Sequence, residues 1–405
     1  MTIQVPKPMI YDDVTLPVPE YVFCLDNGNR FTKITNDGCS VVMTPAIVAD
    51  EIAQYTASLQ HFSGNGLGQN GALVKPFKKY VGQAAILNCS GSERDVYGNL
   101  RHFNTQTTLN QDVEAIMWSA IRSLIPEQVR KCYVYLCVSV ARKEYMLDQS
   151  GKSKFADSLA DALERTETLQ FKDGTPVEVI VKKVLVRPQS ELAVYGMFAE
   201  QTPGGFVYYY DRLYHNYEQI QRETKERQRE LKAQYAKGIV VFDIGGLSAQ
   251  RELVRMINNQ IRVVQPATLN DFGVRKLLGN FKSKLLAVVD QEVVTQLSEH
   301  DLLTLFETEM YKTVSVSEAV SATITEVFPQ YFDLFERGLD YTEVDTVFGV
   351  GQLWKKDRFR QLFEERLQER QGKFVFDVRI QPERAGLLPV YGGYALMNAW
   401  KQKNA

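Results

Sequence analysis

The chain has 405 residues, enough to bury large cores and to form two domains. Hydrophobic residues at 44%, charged residues at 24% and a formal net charge of -2 describe an ordinary soluble globular protein, without the basic surplus of a nucleic-acid binder. No apolar run reaches the roughly 18 residues of a membrane-spanning helix, so no transmembrane segment is predicted.

Cysteine usage indicates a reducing compartment. The five cysteines form no CxxC pair, and an odd number of them without a signal peptide is typical of a cytoplasmic protein. Cys24, Cys132 and Cys137 lie inside strand-like runs, where we expect them to act as small apolar side chains in a core.

The first motif is a strand that ends in Asp26, after a proline-containing leader (residues 1–20). The apolar run from Val22 to Leu25 delivers Asp26 to a tight Asn-Gly turn, and a second strand then leaves with Lys33. The amide groups of such a turn can cradle an anion, Asp26 suits a hydrated Mg2+ ion, and Lys33 suits a phosphate. A plain hairpin is the alternative interpretation of this motif taken alone.

The next elements predict a sheet flanked by helices. A turn at 36–38 leads to a returning strand at 41–47, so that three strands form a meander. The pattern then predicts a helix over 110–123, a buried strand over 132–140, a helix over 153–165, and strands at 177–180 and 184–186. This order is βββαβαβ.

Two helical stretches follow. The segment 188–196 predicts a helix with Pro188 near its start, which we expect to cross to a second domain. The segment 211–237 is rich in charge, and between Gln221 and Glu230 it has no apolar residue. A solvated projecting helix is the favoured interpretation, and an arm that contacts a neighbouring subunit or partner is the alternative.

A second copy of the Asp-tipped motif begins at Ile239. An apolar strand again ends in an aspartate, Asp243, and a Gly-Gly turn follows. An outgoing strand (251–257), a turn and a returning strand (261–264) complete a second meander. The repetition predicts two related domains that face one nucleotide.

The C-terminal third predicts one more strand–turn–helix step. A strand over 344–348 ends in a glycine-containing turn at 349–352 and enters a helix over 353–370. A strand over 374–380 and a helix over 387–400 follow.

These motifs resemble the actin superfamily, and within it the plasmid-segregating ParM (StbA) type of bacterial actin homologue. The stretches at 26–33 and 243–250 resemble the two phosphate loops of that family, and 349–352 resembles its adenosine-binding turn. The resemblance implies an α/β, actin-like (ribonuclease H-like) fold with duplicated βββαβαβ domains around a nucleotide cleft. It assigns residues 1–188 plus 388–405 to domain I and 189–387 to domain II, with a charged helical insertion at about 209–237.

The resemblance also implies which residues bind ATP (or GTP) with Mg2+. Asp26 and Asp243 would hold the metal through water, and Gln189 would orient the attacking water, so that Gln189, Asp243 and Asp26 are the candidate catalytic residues. The implied nucleotide contacts are Asn27, Gly28, Asn29, Arg30 and Lys33; Gly245, Gly246, Leu247 and Ser248; and Gly349, Val350, Gly351 and Gln352. Gln250 departs from the family pattern, since many relatives have a second aspartate there, so slow turnover is expected.

The function implied is a filament-forming ATPase that acts in plasmid or DNA segregation or in cell shape. An amide at Gln189 can orient a water but is a poor base, so hydrolysis should be slow and coupled to polymer dynamics. The expected partners are further copies of the chain and an adaptor protein (ParR-like or other). A non-polymerising small-molecule kinase of the same superfold remains the alternative, because fold alone does not separate the two.

Overall fold

The structure is a computed structural model in which two mixed α/β units are joined by two helices. It describes residues 18–27, 31–45, 47–50, 73–74, 79–81, 101–102, 111–142, 144–145, 147–148, 152–170, 175–202, 205–208, 222, 224–226, 238–246, 248–257, 260–269, 272–297, 299–370 and 377–404. The predicted charged helix at 211–237 lies almost entirely outside the described residues.

The first unit is built on a six-stranded sheet. Its elements are β1 (Glu20–Asn27), β2 (Phe31–Thr35), β3 (Val42–Pro45), β4 (Ile47–Asp50), β5 (Leu73–Val74), β6 (Lys79–Val81), β7 (Arg101–His102), α1 (Gln111–Ser123), β8 (Lys131–Val140), α2 (Lys154–Leu163), β9 (Thr166–Gln170) and β10 (Pro176–Pro188). The sheet order is β3-β2-β1-β8-β10-β9, and β4 to β7 form a separate four-stranded sheet in the order β5-β6-β4-β7.

The second unit is built on a five-stranded sheet in the order β15-β14-β13-β18-β19. Its elements, with the two linking helices, are α3 (Gln189–Phe198), β11 (Ala199–Thr202), β12 (Gly205–Tyr208), β13 (Gly238–Ile244), β14 (Ala249–Ile257), β15 (Gln260–Leu269), α4 (Val274–Leu285), α5 (Gln291–Gln296), α6 (Glu299–Thr308), β16 (Met310–Tyr311), β17 (Val314–Ser315), α7 (Ser317–Glu336), β18 (Val344–Gly351), α8 (Asp357–Arg370), β19 (Asp377–Ile380) and α9 (Leu388–Asn404). Short 3-10 turns occupy Tyr341–Glu343 and Gln352–Lys355.

The two sheets repeat one topology. In each, three sequential strands form an antiparallel meander, and the first strand of the meander then pairs in parallel with the next strand along the sheet. A further parallel strand follows in both sheets. The predicted duplication is therefore present, and it places the carboxyl ends of β1 and β13 at equivalent positions.

The described residues form three hydrophobic cores. One lies between the first sheet and helices α1 and α2. Another lies between the second sheet and helices α4 to α8, where Trp354 packs edge to face with Phe242 and Phe363. The third core joins residues of both sheets to the linking helices α3 and α9. The two units therefore share buried apolar surface at the helices that connect them.

Helices α3 and α9 cross at glycines. A Cβ atom added at Gly392 would stand 1.9 Å from the carbonyl oxygen of Leu192, and one added at Gly196 would stand 2.1 Å from that of Leu388. A Cβ at Gly393 would meet the Cys24 sulfur at 2.2 Å. Only glycine permits this backbone-to-backbone contact, which fixes where the two linking helices cross.

Several predicted boundaries were wrong. The strands predicted at 177–180 and 184–186 are one strand, β10, in which a bulge leaves Lys182 without a ladder partner between the paired residues Val181 and Lys183. The hairpin partner β9 was not predicted. With it, the main sheet and its helices follow the order βββαβαββ, in which α2 lies between β8 and β9. The strand predicted to end at 348 continues to Gly351, and α8 begins at Asp357, after a 3-10 turn.

Other expectations hold. Ser153 caps α2 by accepting a hydrogen bond from the Ala156 amide, and Pro188 precedes α3 in an extended conformation. Cys24, Cys132 and Cys137 are buried and free. No helix within the described part of the chain is both long and apolar enough to cross a membrane.

Candidate functional site

Asp26 ends the first strand in a buried position that is 1% exposed. It pairs with Lys33 across the β1–β2 hairpin, and the Lys33 Nζ atom donates to its Oδ2 atom at 2.9 Å. The Gln189 Nε2 atom donates to its other oxygen, Oδ1, at 2.8 Å. The carboxylate is therefore fixed by one cation and one amide that lie 7 and 163 residues away in sequence.

Gln189 reaches Asp26 because of where α3 begins. Strands β1, β8 and β10 are parallel neighbours, and β10 ends at Pro188, which is paired with Val140. The proline fixes an extended backbone, with φ of -61° and ψ of 144°, and Gln189 is the first helical residue after it. The Gln189 side chain therefore lies at the same edge of the sheet as Asp26, because both lie at the carboxyl ends of parallel strands.

Asp243 occupies the equivalent position in the second sheet and is half-buried. Burial raises the pKa of its carboxyl group to about 6, the Lys33 ammonium lowers that pKa, and the Asp26 carboxylate raises it. Charges of the first unit therefore act on the aspartate of the second. The structure brings Asp26, Lys33, Gln189 and Asp243 into one electrostatic cluster.

The second glycine turn is tied to the start of α4. The amide of Gly245 donates to the carbonyl of Ser248 at 3.0 Å, and the carbonyls of Gly245 and Gly246 accept from the Val274 and Arg275 amides, each at 3.0 Å. These two amides belong to the first turn of a helix, where they have no partner within the helix. A Cβ added at Gly246 would meet nothing within 4 Å, so the space beside this turn is open.

The glycines at the end of β18 lie against this cluster. Gly351 has a φ of +95°, and a Cβ there would stand 2.5 Å from Asp243 Oδ1 and 2.4 Å from the Ile244 carbonyl oxygen. Gly349 makes room for the indole of Trp354, whose Nε1 atom donates to the Phe242 carbonyl at 2.7 Å. The stretch 349–351 therefore packs directly against strand β13, which carries Asp243.

The remaining predicted residues divide into two groups. Gly28, Asn29, Arg30 and Leu247 lie outside the described residues, and so does the side chain of Asn27, whose backbone ends β1. Ser248, Val350 and Gln352 are described: the Ser248 hydroxyl accepts from the Gln250 Nε2 atom at 3.4 Å, and Val350 is buried in the core shared with the linking helices. The roles assigned to all of these residues stay predictions.

Sequence reasoning missed a buried polar network beside Gln189. Ser190 donates a hydrogen bond to Glu252 on β14, and Glu191 accepts one from the Val263 amide on β15 at 3.3 Å. The available signal was the alternation of β14, in which Gln250 and Glu252 share one face while Ala249 and Leu253 enter the core of the second unit. Nothing in the sequence indicated that this face would meet α3.

The sequence matches no protein-family model and no curated protein sequence. Solved structures do match, and they do so along nearly the whole chain. The actin-like protein Alp7A matches with a TM-score of 0.61 and 14% identity, over 95% of this chain and 98% of that chain. An archaeal actin homologue matches with a TM-score of 0.60 and 14% identity, over 94% and 99% of the two chains. A ParM chain from a 15-stranded filament of Clostridium botulinum matches with a TM-score of 0.58 and 12% identity, over 95% and 100%.

This chain has an actin-like fold of the ParM type. In this actin-like chain, the four clustered side chains come from the first strand of each unit, from the first hairpin and from the first linking helix. The Asp26 carboxylate raises the pKa of Asp243, and a divalent cation near both would offset this repulsion.

Among the described residues, no group of three or more His, Cys, Asp or Glu side chains could hold a metal ion. Two carboxylates alone suit a Mg2+ ion that keeps several of its waters and takes phosphate oxygens as further ligands.

Proposed function

We propose that this chain binds ATP with Mg2+ between its two α/β units, hydrolyses it slowly, and assembles into filaments. The observation that carries the proposal is the meeting of Asp26, Lys33, Gln189 and Asp243 at one site, although they belong to two sheets and a linking helix. A charged cluster of this kind, bordered by open glycine turns, suits an anionic ligand with a bound cation.

Each side chain has a role that its contacts support. Asp26 and Asp243 would hold the waters of Mg2+, and Lys33 would offset phosphate charge. The bound nucleotide and its metal supply the scissile γ-phosphate bond and the positive charge that stabilises its transfer. Gln189 donates through its nitrogen to Asp26, so its side-chain oxygen is the atom that accepts a hydrogen bond from the attacking water. An amide cannot take up the proton, which makes the step slow.

Nucleotide state is coupled to subunit shape through the linking helices. The helices α3 and α9 pack against both sheets in the shared core, so a change in the angle between the units changes their packing. Hydrolysis removes a contact that both units share, the cleft relaxes, and contacts between subunits weaken. The reaction then acts as a timer on filament stability.

Structures with the same fold support the class of activity. One is an archaeal actin homologue in complex with ADP, with a TM-score of 0.58 and 14% identity. Others are an Alp12 filament and a ParM quadruple mutant described as non-polymerisable. By analogy the filament would move DNA or plasmids through an adaptor protein, or control cell shape.

Sedimentation tests the proposal. Purified protein is pelleted with ATP, ADP or a non-hydrolysable ATP analogue, and the pellets are imaged by electron microscopy while phosphate release is followed. We expect filaments with ATP and with the analogue, a smaller pellet with ADP, and slow phosphate release. Protein that stays monomeric with ATP and phosphorylates a small molecule would instead support the kinase alternative.

A substitution pair assigns the activity to the site. Asp243→Ala should abolish phosphate release, because it removes one of the two carboxylates. Asp333→Ala is the matched control, since Asp333 is exposed on α7, far along the chain from the cluster, and should leave the rate unchanged. Unchanged phosphate release by Asp243→Ala would contradict the assignment.

A further inference from the structure

Glu252 is a buried carboxylate at the junction of the two units. It lies on β14, is 2% exposed, and accepts a hydrogen bond from the Ser190 hydroxyl at its Oε2 atom. Its other oxygen, Oε1, is buried without a hydrogen-bond partner. A charged group held this way costs stability, and an apolar side chain of the same size would pack there more favourably. Its presence therefore calls for a role other than packing.

The hydrogen bond from Ser190 fixes the first turn of α3. Ser190 directly follows Gln189, and the helix has no side-chain cap of its own. Glu191, the third residue, accepts from the Val263 amide at 3.3 Å and lies 3.7 Å from the Arg262 guanidinium. Strands β14 and β15 of the second unit thus hold the turn that carries Gln189, whose amide donates to Asp26 of the first unit.

The charges around Glu252 come from both units. Burial raises the pKa of its carboxyl group to about 7, the Ser190 hydrogen bond and the Arg142 guanidinium lower it, and the carboxylates of Asp243 and Glu191 raise it. Burial also raises the pKa of Glu191, which the Arg262, Arg187 and Arg142 guanidiniums lower. The protonation of Glu252 therefore depends in part on the charge of Asp243.

We propose that Glu252 is a positioning residue for hydrolysis, which holds Gln189 in place through Ser190. The inference rests on the proposed function and deepens it, since it names a group that no sequence motif indicated. Ionised Glu252 accepts a charge-assisted hydrogen bond from Ser190 and holds the turn firmly, whereas neutral Glu252 holds it weakly. The rate of hydrolysis should therefore rise as Glu252 loses its proton.

The test separates positioning from binding. Single-turnover phosphate release and ATP affinity are measured over a range of about pH 5.5 to 8.5 for the wild type, Glu252→Gln, Ser190→Ala and the control Glu318→Gln. Glu318 is exposed in the first turn of α7, so the control makes the same chemical change away from the network. Thermal melting establishes that each variant is folded.

We expect Glu252→Gln and Ser190→Ala to lower the rate constant about tenfold at alkaline pH, with ATP affinity within about twofold of the wild type. The Gln variant should lose the part of the pH profile that belongs to Glu252. The control should match the wild type.

Two results would overturn the inference, and only the second would also overturn the proposed function. Folded Glu252→Gln and Ser190→Ala proteins with the wild-type rate and pH profile would refute the positioning role while the proposed function stands. A wild-type protein that neither binds ATP nor releases phosphate would refute both.

Discussion

The crossing of the two linking helices can be tested by adding a single methyl group. Gly392→Ala places a Cβ 1.9 Å from the Leu192 carbonyl oxygen and 2.5 Å from the Gly196 amide nitrogen. An ordinary contact begins at 3.4 Å, so the helices must separate by about 1.5 Å at this point. Both obstacles are backbone atoms of a helix, which cannot move aside as the end of a flexible side chain can.

The expected cost follows from the core that the crossing holds. Overpacking of a tight core costs about 1–3 kcal/mol and occasionally more, while alanine in place of glycine in a helix gains about 1 kcal/mol. Because the obstruction is the backbone of α3, we place the net loss at about 2 kcal/mol. This should lower the apparent melting temperature by about 4–8 °C.

The assay is thermal unfolding followed by circular dichroism, with Gly279→Ala as the control. Gly279 lies in the interior of α4, where an added Cβ meets nothing within 4 Å, so the same change should leave stability unchanged or raise it by up to about 1 kcal/mol. A Gly392→Ala protein that melts at or above the wild-type temperature would refute the close crossing of α3 and α9.

Substitutions at Asp243, Lys33 and Asp26 probe the charged cluster. Asp243 has its pKa raised from 3.8 to about 6, so the stability it contributes is present below pH 3.8 and is lost as the pH rises through 6. Asp243→Asn should therefore be more stable than the wild type by about 1–3 kcal/mol at neutral pH but not near pH 4, and equal melting curves at both values would contradict this. Lys33→Met should lower the free energy of unfolding by about 3 kcal/mol, because it leaves the buried Asp26 carboxylate with Gln189 as its remaining partner among these side chains. The Asp26→Asn, Lys33→Met double variant should lose less stability. A double variant that is less stable than Lys33→Met would contradict the pairing.

Local patterns were sufficient to predict the repeated part of the fold. An apolar run, an aspartate and a glycine turn identify β1 and β13, and each meander follows from turn residues at short spacing. The same reasoning placed the start of α3 near Pro188, because proline is favoured in the first turn of a helix. These features depend on residues that are close together in sequence.

Contacts between distant residues could not be predicted in this way. Gly196 and Gly392 look like unfavourable helix residues until the two helices are seen to touch there. Glu252 looks like a solvent-facing residue of a strand, and only the position of Ser190, 62 residues earlier, shows that it is buried. Strand β10 was divided in two because Lys182-Lys183 interrupts its apolar pattern, while parallel pairing with β8 before and after Lys182 keeps the strand continuous.

The central claim is that the Asp-tipped strands of both units close upon one nucleotide. It is tested most directly by determining the structure with Mg2+ and a non-hydrolysable ATP analogue. We predict one metal ion between the units, with its water ligands hydrogen-bonded to the carboxylates of both Asp26 and Asp243. A nucleotide bound elsewhere, or a metal ion that contacts the waters of only one of these aspartates, would contradict the account.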